Sequence, residues 1–176
     1  QTPSDCFQAA FEAVRIATKY MTPVILLSDG YLANGAEPWK FPSVEELPEI
    51  AIEYRKDPKG FFPYLRDPET LSRPWATPGT PGLEHRIGGL EKAYLSGNIN
   101  YAPMNHEQMV RVRARKVAAI AAEIPPTTVH GPETGDLVVI GWGSTYGAIT
   151  AAVRQAQSQG LAVSHIHLRH LNPLPS

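Results

Sequence analysis

Three glycines in "DLVVIGWGSTYGAITAAVRQAQSQG" stand in the strand-to-helix context that a phosphate-binding turn requires. Gly141, Gly143 and Gly147 follow an apolar run and open a helical pattern, the context in which backbone amides at a helix start hold a pyrophosphate. In such a site the next strand should end in an acid for a ribose hydroxyl or an arginine for a ribose phosphate, and Arg169 stands roughly there. The same glycines equally suit a tight strand-to-helix corner that binds nothing. A dinucleotide-binding module and a purely structural turn are both open on these residues alone.

Other residue types invite chemistry of their own. In "HIHLRH", His165 and His167 point to one side of a strand and His170 to the other. A metal would need a third ligand close by, so no zinc site is expected, and His165, His167 and Arg169 read as the polar face of a half-buried strand opposite Ile166 and Leu168. Ser28 and Asp29 close the apolar run of "TPVILLSDG", a place where ligands bind in open α/β sheets, although capping a turn is the simpler role. Glu84 and His85 sit on a loop among glycines and suit a subunit interface or a turn. Cys6, in the first turn of a helix, is either a thiol of lowered pKa or a small buried hydrophobe. Arg111, Arg113, Arg115 and Lys116 could grip a phosphate, but charges alternating along a helix read as a solvated face.

The elements that must position these residues are legible at the two ends of the chain. Thr2 as N-cap, Pro3 at the first helical position and Asp5 in the first turn start a helix. Its apolar stripe is Phe7, Ala10, Phe11, Val14, Ala17 and Met21. Val24 to Leu27 then reads as a strand buried on both faces, as in a parallel sheet. Residues 33–102 lose periodicity, except for a possible helical turn at "SVEELPEIA", and Pro, Gly and Asp punctuate the rest. So long an irregular stretch, with aromatics in "GFFPYL" and "RPWATPG", is expected to wrap a surface supplied by other chain or a partner. A helix over 105–124 follows, with Asn105 as N-cap, Val110, Val117, Ala121 and Ile124 inward, and Pro125-Pro126 as the stop. After the turn-rich "TTVHGPETGD" comes strand 137–140, helix 144–159 with Ile149, Ala152, Val153 and Ala156 inward, Gly160 as the stop, and a final strand. That order implies a right-handed parallel crossover.

Composition narrows the class. The 176 residues carry 16 Lys plus Arg against 17 Asp plus Glu, so no net field gathers nucleic acid or anionic lipid. A single cysteine excludes an internal disulfide and a cysteine-held iron–sulfur cluster, and a reducing cytoplasmic setting fits. No apolar run reaches the roughly 20 residues of a membrane span. The start at Gln1, next to a helix signal, and the stop at "LNPLPS", just after a strand, read as a fragment whose unpaired edges would favour an oligomer.

Beyond these local readings, "LVVIGWGSTYGAITAAVRQAQSQGLAVSHIHLRHLNPLP" resembles the C-terminal domain of the transketolase type. "SDCFQAAFEAVRIATKYMTPVILLSDGYL" is similar to the end of the pyrimidine-binding domain of 2-oxoacid:ferredoxin oxidoreductase alpha subunits. "GLEHRIGGLEKAYLSGNINYAPMNHEQMVRVRARKVAAI" resembles their interdomain connection, and the "WKFP" and "GGLEK" surroundings look most like the 2-oxoglutarate enzymes. The resemblance implies an α/β fold of strand-helix-strand units joined by a long Pro-rich connection. Its parts are the end of the pyrimidine-binding domain at 1–32, the connection at 33–135 and a transketolase C-terminal-like domain at 136–176. It further implies a subunit-organising segment with no catalytic, cofactor-binding or metal-binding residue of its own, Ser28, Asp29, Glu84 and His85 lying at most near a site or interface. The glycine turn would then be a corner. The full complex would oxidatively decarboxylate a 2-oxoacid to its acyl-CoA. Thiamine diphosphate and magnesium would be held chiefly by a beta subunit, and electrons would pass through iron–sulfur clusters to ferredoxin. Lipoamide-linked dehydrogenases share the C-terminal domain but lack the connection carrying "GLEHRIGGLEK", which argues against them.

Overall fold

The computed structural model describes residues 1–175. It divides the chain into two compact units, one of residues 1–13, 25–47 and 121–176 and one of residues 14–24 and 48–120. Helix α1, Asp5–Tyr20, contributes its start to the first and its end to the second.

The first unit is mixed α/β. Strand β4, Leu137–Trp142, pairs in parallel with β5, Val163–Leu168, in the register Val139↔His165 and Gly141↔His167. The crossover between them is α4, Tyr146–Ser158, entered through a 3-10 turn at Gly143–Thr145. Gly160 at φ +85° ends that helix in the left-handed conformation that a residue without Cβ adopts freely. A short strand β3, Val129–His130, adds antiparallel to the other side of β5 within the stretch read as turn-rich, so the sheet order is β3-β5-β4. Of the four residues expected inward on α4, Val153 is buried and Ala152 is exposed. In α1 the Thr2 hydroxyl accepts from the Asp5 amide at 3.4 Å, so Thr2 supplies the capping bond, with Pro3 and Ser4 forming a turn before the helix begins.

The run Val24–Leu27 does not behave as expected. It is neither helical nor paired with any described strand, and Ile25 is 82% exposed. An apolar run becomes a ladder only where a neighbouring strand offers its amides and carbonyls. Asp29 then caps α2, Gly30–Asn34. Within "SVEELPEIA" the structure forms a 3-10 turn at Val44–Glu46, held by a capping box between Ser43 and Glu46.

The second unit is held by anchors rather than by a regular sheet. Strands β1, Tyr54–Arg55, and β2, Trp75–Ala76, form one short parallel pair, and the indole Nε1 of Trp75 donates to the Thr18 carbonyl at 3.0 Å. The buried side of α1 here is Ile16 and Tyr20, whereas Val14, expected inward, is exposed. Helix α3 runs Pro103–Ala119 and tightens into a 3-10 turn at Ile120–Ala122. It starts two residues before Asn105 because Pro103, whose φ is preset and whose missing amide costs nothing there, takes position N1. Asn105 instead clamps an incoming loop, accepting from the Tyr94 amide at 3.1 Å and donating to the Lys92 carbonyl at 2.9 Å. The inward stripe of α3 is Met109, Val112 and Lys116, continued by Ile120; of the expected set, Val110 is exposed, Val117 and Ala121 are half-buried, and Ile124 is buried as expected. The apolar stem of Lys116 completes the stripe.

Candidate functional site

The glycine corner is built by close approach and already holds an anion of the chain's own. A Cβ at Gly141 would run into Ile149 Cδ1 and lie 3.0 Å from the Thr145 hydroxyl, so a larger residue there would force the Ile149 and Thr145 side chains to shift. Gly143 has φ +62°, where side chains are strained, whereas a Cβ at Gly147 would meet nothing. The amide that follows, Ser144 N–H, donates to Asp29 Oδ2 at 3.2 Å, while Asp29 Oδ1 accepts from the Leu32 amide at 3.0 Å. The Leu32 and Ser144 bonds hold the Asp29 carboxyl below its ordinary pKa. A carboxylate therefore stands at the amide that a pyrophosphate would need. Arg169 is also engaged, through Asp5 Oδ1 at 2.5 Å and Glu12 Oε2 at 3.2 Å. Burial alone would push the Asp5 carboxyl up, but the hydrogen bond and charge of Arg169 hold it below its ordinary value. These contacts favour the structural corner over the dinucleotide site.

The histidines of β5 reverse the expected polarity of that strand. His165 and His167 are 1% and 7% exposed, under α4, whereas Ile166 and Leu168 are only half-buried. The Gly143 carbonyl can only accept, so His167 carries its proton on Nε2, 3.1 Å away. Its Nδ1 then accepts from His165 Nε2 at 3.3 Å, and His165 Nδ1 accepts from the Thr150 hydroxyl at 3.3 Å. Each ring is neutral and uses both nitrogens, and Tyr146 lies with ring centroids 5.7 Å and 5.0 Å from the two. Burial lowers both pKa values. His130 lowers that of His165 further, and the bond to Gly143 partly offsets the effect on His167. His170 turns away to Glu12 Oε1 at 3.3 Å. Among the described residues no three His, Cys, Asp or Glu side chains converge as a metal would require.

The remaining candidates are scattered. Ser28 is exposed beside Asp29, and Glu84 is exposed in the second unit. His85 is half-buried there, its Nδ1 2.7 Å from the Leu83 carbonyl and its ring against Phe61. Cys6 is half-buried, with Sγ 3.7 Å from the Thr2 carbonyl.

What sequence reasoning missed is a cationic cavity of about 450 Å³ in the second unit, walled by Tyr64, Arg66, Arg73, Glu91, Arg113 and Lys116 among others. Of the basic run on α3, Arg111 pairs with Glu107 on an exposed face as expected, but Lys116 is 7% exposed and Arg113 faces the cavity. The spacing of the run held a clue: Met109, Val112 and Lys116 share one helical face. Arg66 and Arg73 come from loops about 40 residues earlier, and no local pattern joins them to α3.

Residues 1–101 match a family model described as pyruvate flavodoxin/ferredoxin oxidoreductase, thiamine diP-bdg. Over 178 residues, 100% of this chain, the sequence is 56% identical to the 2-oxoglutarate oxidoreductase subunit KorA of Mycobacterium tuberculosis, of which it covers 27%. It is 31% identical over 183 residues to the 2-oxoacid:ferredoxin oxidoreductase subunit alpha of Saccharolobus solfataricus, covering 97% of this chain and 28% of that one. Among solved structures, the 2-oxoglutarate:ferredoxin oxidoreductase from Magnetococcus marinus with 2-oxoglutarate, coenzyme A and succinyl-CoA bound matches with a TM-score of 0.84 and 32% identity. That match covers 97% of this chain and 30% of the other. The chain thus spans a little over a quarter of the length of the curated relatives named here.

Proposed function

The chain belongs to the pyruvate flavodoxin/ferredoxin oxidoreductase thiamine-diphosphate-binding family, and on that premise we propose that it is a segment of the alpha subunit of a 2-oxoglutarate:ferredoxin oxidoreductase. The observation that carries the substrate choice is 56% identity, over the whole chain, to a subunit named for 2-oxoglutarate. The reaction is oxidative decarboxylation: the bond between the keto carbon and the carboxylate breaks, carbon dioxide leaves, the acyl group passes to coenzyme A, and two electrons pass to ferredoxin. Bound thiamine diphosphate supplies the electron sink for that bond cleavage.

This segment's own part is architectural. Residues 1–32 end the pyrimidine-binding domain, 33–135 form the connection and 136–176 begin the C-terminal domain. Ser28, Asp29, Glu84 and His85 lie at or near interfaces, and Asp29 ties the end of the first stretch to the corner at Ser144. Magnesium and the iron–sulfur cluster belong to the rest of a cytoplasmic complex that includes a beta subunit. Two observations agree with this role: Val138, Ile140 and Trp142 leave one face of β4 exposed, and no helix among the described residues is long and apolar enough to cross a membrane.

The test is the intact complex assayed for coenzyme A-dependent reduction of ferredoxin. 2-Oxoglutarate is expected to be the preferred substrate by at least about tenfold in kcat/KM over pyruvate, roughly 1.4 kcal/mol of transition-state discrimination. A preference for pyruvate would overturn the substrate assignment, and an absence of turnover with either 2-oxoacid would overturn the enzyme reading.

A further inference from the structure

The cavity of the second unit carries more positive charge than its own surroundings neutralise. Glu91 is the sole acid among its lining residues, and it is already taken by Arg113 Nη1 at 3.2 Å and His106 Nδ1 at 2.7 Å. Arg66 spends one Nη1–H on the Leu71 carbonyl at 3.1 Å, and Arg73 spends one on the Pro63 carbonyl at 3.3 Å. Both guanidiniums stack near the Tyr64 ring, at 5.5 Å and 4.7 Å from its centroid. Arg66 Nε is buried without a hydrogen-bond partner among the described residues, a position that costs free energy unless something accepts from it. Lys116 Nζ donates to the Met21 carbonyl at 3.3 Å.

We propose that this cavity is a binding site for a small phosphate-bearing anion of at least two negative charges, held by Arg66, Arg73, Arg113 and Lys116. Planar guanidinium forks pair with phosphate oxygens two at a time, and an ammonium serves the same oxygens as a point charge. One carboxylate would satisfy one fork and leave the others repelling one another, whereas a diphosphate or a phosphorylated metabolite matches the charge. The volume of about 450 Å³ admits such an ion together with water. The pocket in its present form also pushes Lys116 down to about 8, first by burial and then by the charges of Arg66 and Arg73. A bound phosphate would raise that value again, so that binding above about pH 8 takes up a proton. The titratable and charged groups that line the cavity with that ammonium are Arg66, Arg73, Arg113, Lys92, Tyr64 and Glu91.

The site is independent of the catalytic reading and is tested apart from it. The probe is inorganic pyrophosphate, titrated by calorimetry into the intact protein already saturated with thiamine diphosphate, with a phosphorylated sugar and succinate as parallel arms. Saturable pyrophosphate binding is expected, weakened about tenfold or more by Arg73→Gln and by Arg113→Gln. Arg113 is half exposed, so its replacement leaves the fold intact. At pH 8.5 binding should take up a proton, read from two buffers of different ionisation enthalpy, and Lys116→Met should abolish that uptake. Tighter binding of the phosphorylated sugar than of pyrophosphate would identify an organic phosphate as the source. Succinate binding as tightly as pyrophosphate would overturn the phosphate assignment. No saturable binding below about 1 mM, or binding untouched in both arginine variants, would overturn the site.

Discussion

Two regions of this molecule bury ionisable groups, and they do so on opposite terms. Under α4, His165 and His167 are buried as neutral rings, every nitrogen matched in a chain from the Thr150 hydroxyl to the Gly143 carbonyl. Below α3, Lys116 is buried and Arg66 half-buried, and the charges of neighbouring arginines lower the pKa of both. Burial penalises the charged form, so a histidine with a low ordinary pKa sheds its proton and keeps its hydrogen bonds at small cost, whereas an arginine cannot and a lysine resists. The first arrangement is a finished core. The second remains under repulsion until an anion arrives, which is how a binding site differs from a packing site built from similarly basic residues.

The largest effect should come from breaking the finished core. His165→Ala removes a ring that is 1% exposed and orphans His167 Nδ1 and the Thr150 hydroxyl. Local opening of β4 and β5, measured by hydrogen exchange on the intact protein, should become easier by about 3 kcal/mol. A change below about 1 kcal/mol would mean that the ring carries no packing and that the contrast with the cationic cavity fails.

The comparison sharpens with pH, because both clusters contain bases whose folded pKa is lowered. Such a group binds fewer protons in the folded state, so stability rises with pH between the folded and unfolded values. For the histidines, protection of β5 should decline as pH falls below the unfolded value of about 6.5. For Lys116, protection of α3 should rise from about pH 8, its folded value, towards about 10.4, its unfolded one. Lys116→Met should remove the upper window, leave the lower one, and stabilise α3 at pH 7 by about 1 kcal/mol, because the relieved repulsion is partly screened by solvent. Destabilisation by Lys116→Met would show that its bond to Met21 outweighs the repulsion.

The smallest effect belongs to Asp29, whose carboxylate is open to solvent. Asp29→Ala should speed exchange of the Leu32 and Ser144 amides with no change in the histidine region. Slower exchange at Ser144 would indicate that another group had replaced the carboxylate.

Much of the first unit is legible in the sequence, because the strand-helix-strand order, the glycine corner and the stop at Gly160 are encoded within a few residues of where they act. The corner even carried its own reason, since Gly141 and Gly143 each serve a local need. Asp29 as the occupant of the Ser144 amide was not legible, because the two residues lie 115 positions apart. Nor was the inward stripe of α3, because a helical pattern assigns apolar residues to a face and gives no credit to the stem of Lys116.

Two apolar runs mark the limit. Val24–Leu27 and Leu137–Ile140 carry the same signal, yet the second forms a ladder with β5 and the first pairs with no described strand. Composition and local spacing by themselves determined the α/β class, the crossover and the positions of the turns, since those depend on propensities and φ values acting over one to ten residues. Strand partners, the burial of the histidine face and the gathering of Arg66, Arg73, Arg113 and Lys116 were decided only by tertiary structure. Hydrogen-bond pairing, burial and Coulomb repulsion depend on which groups meet across space, and no local stretch of sequence carries that distance.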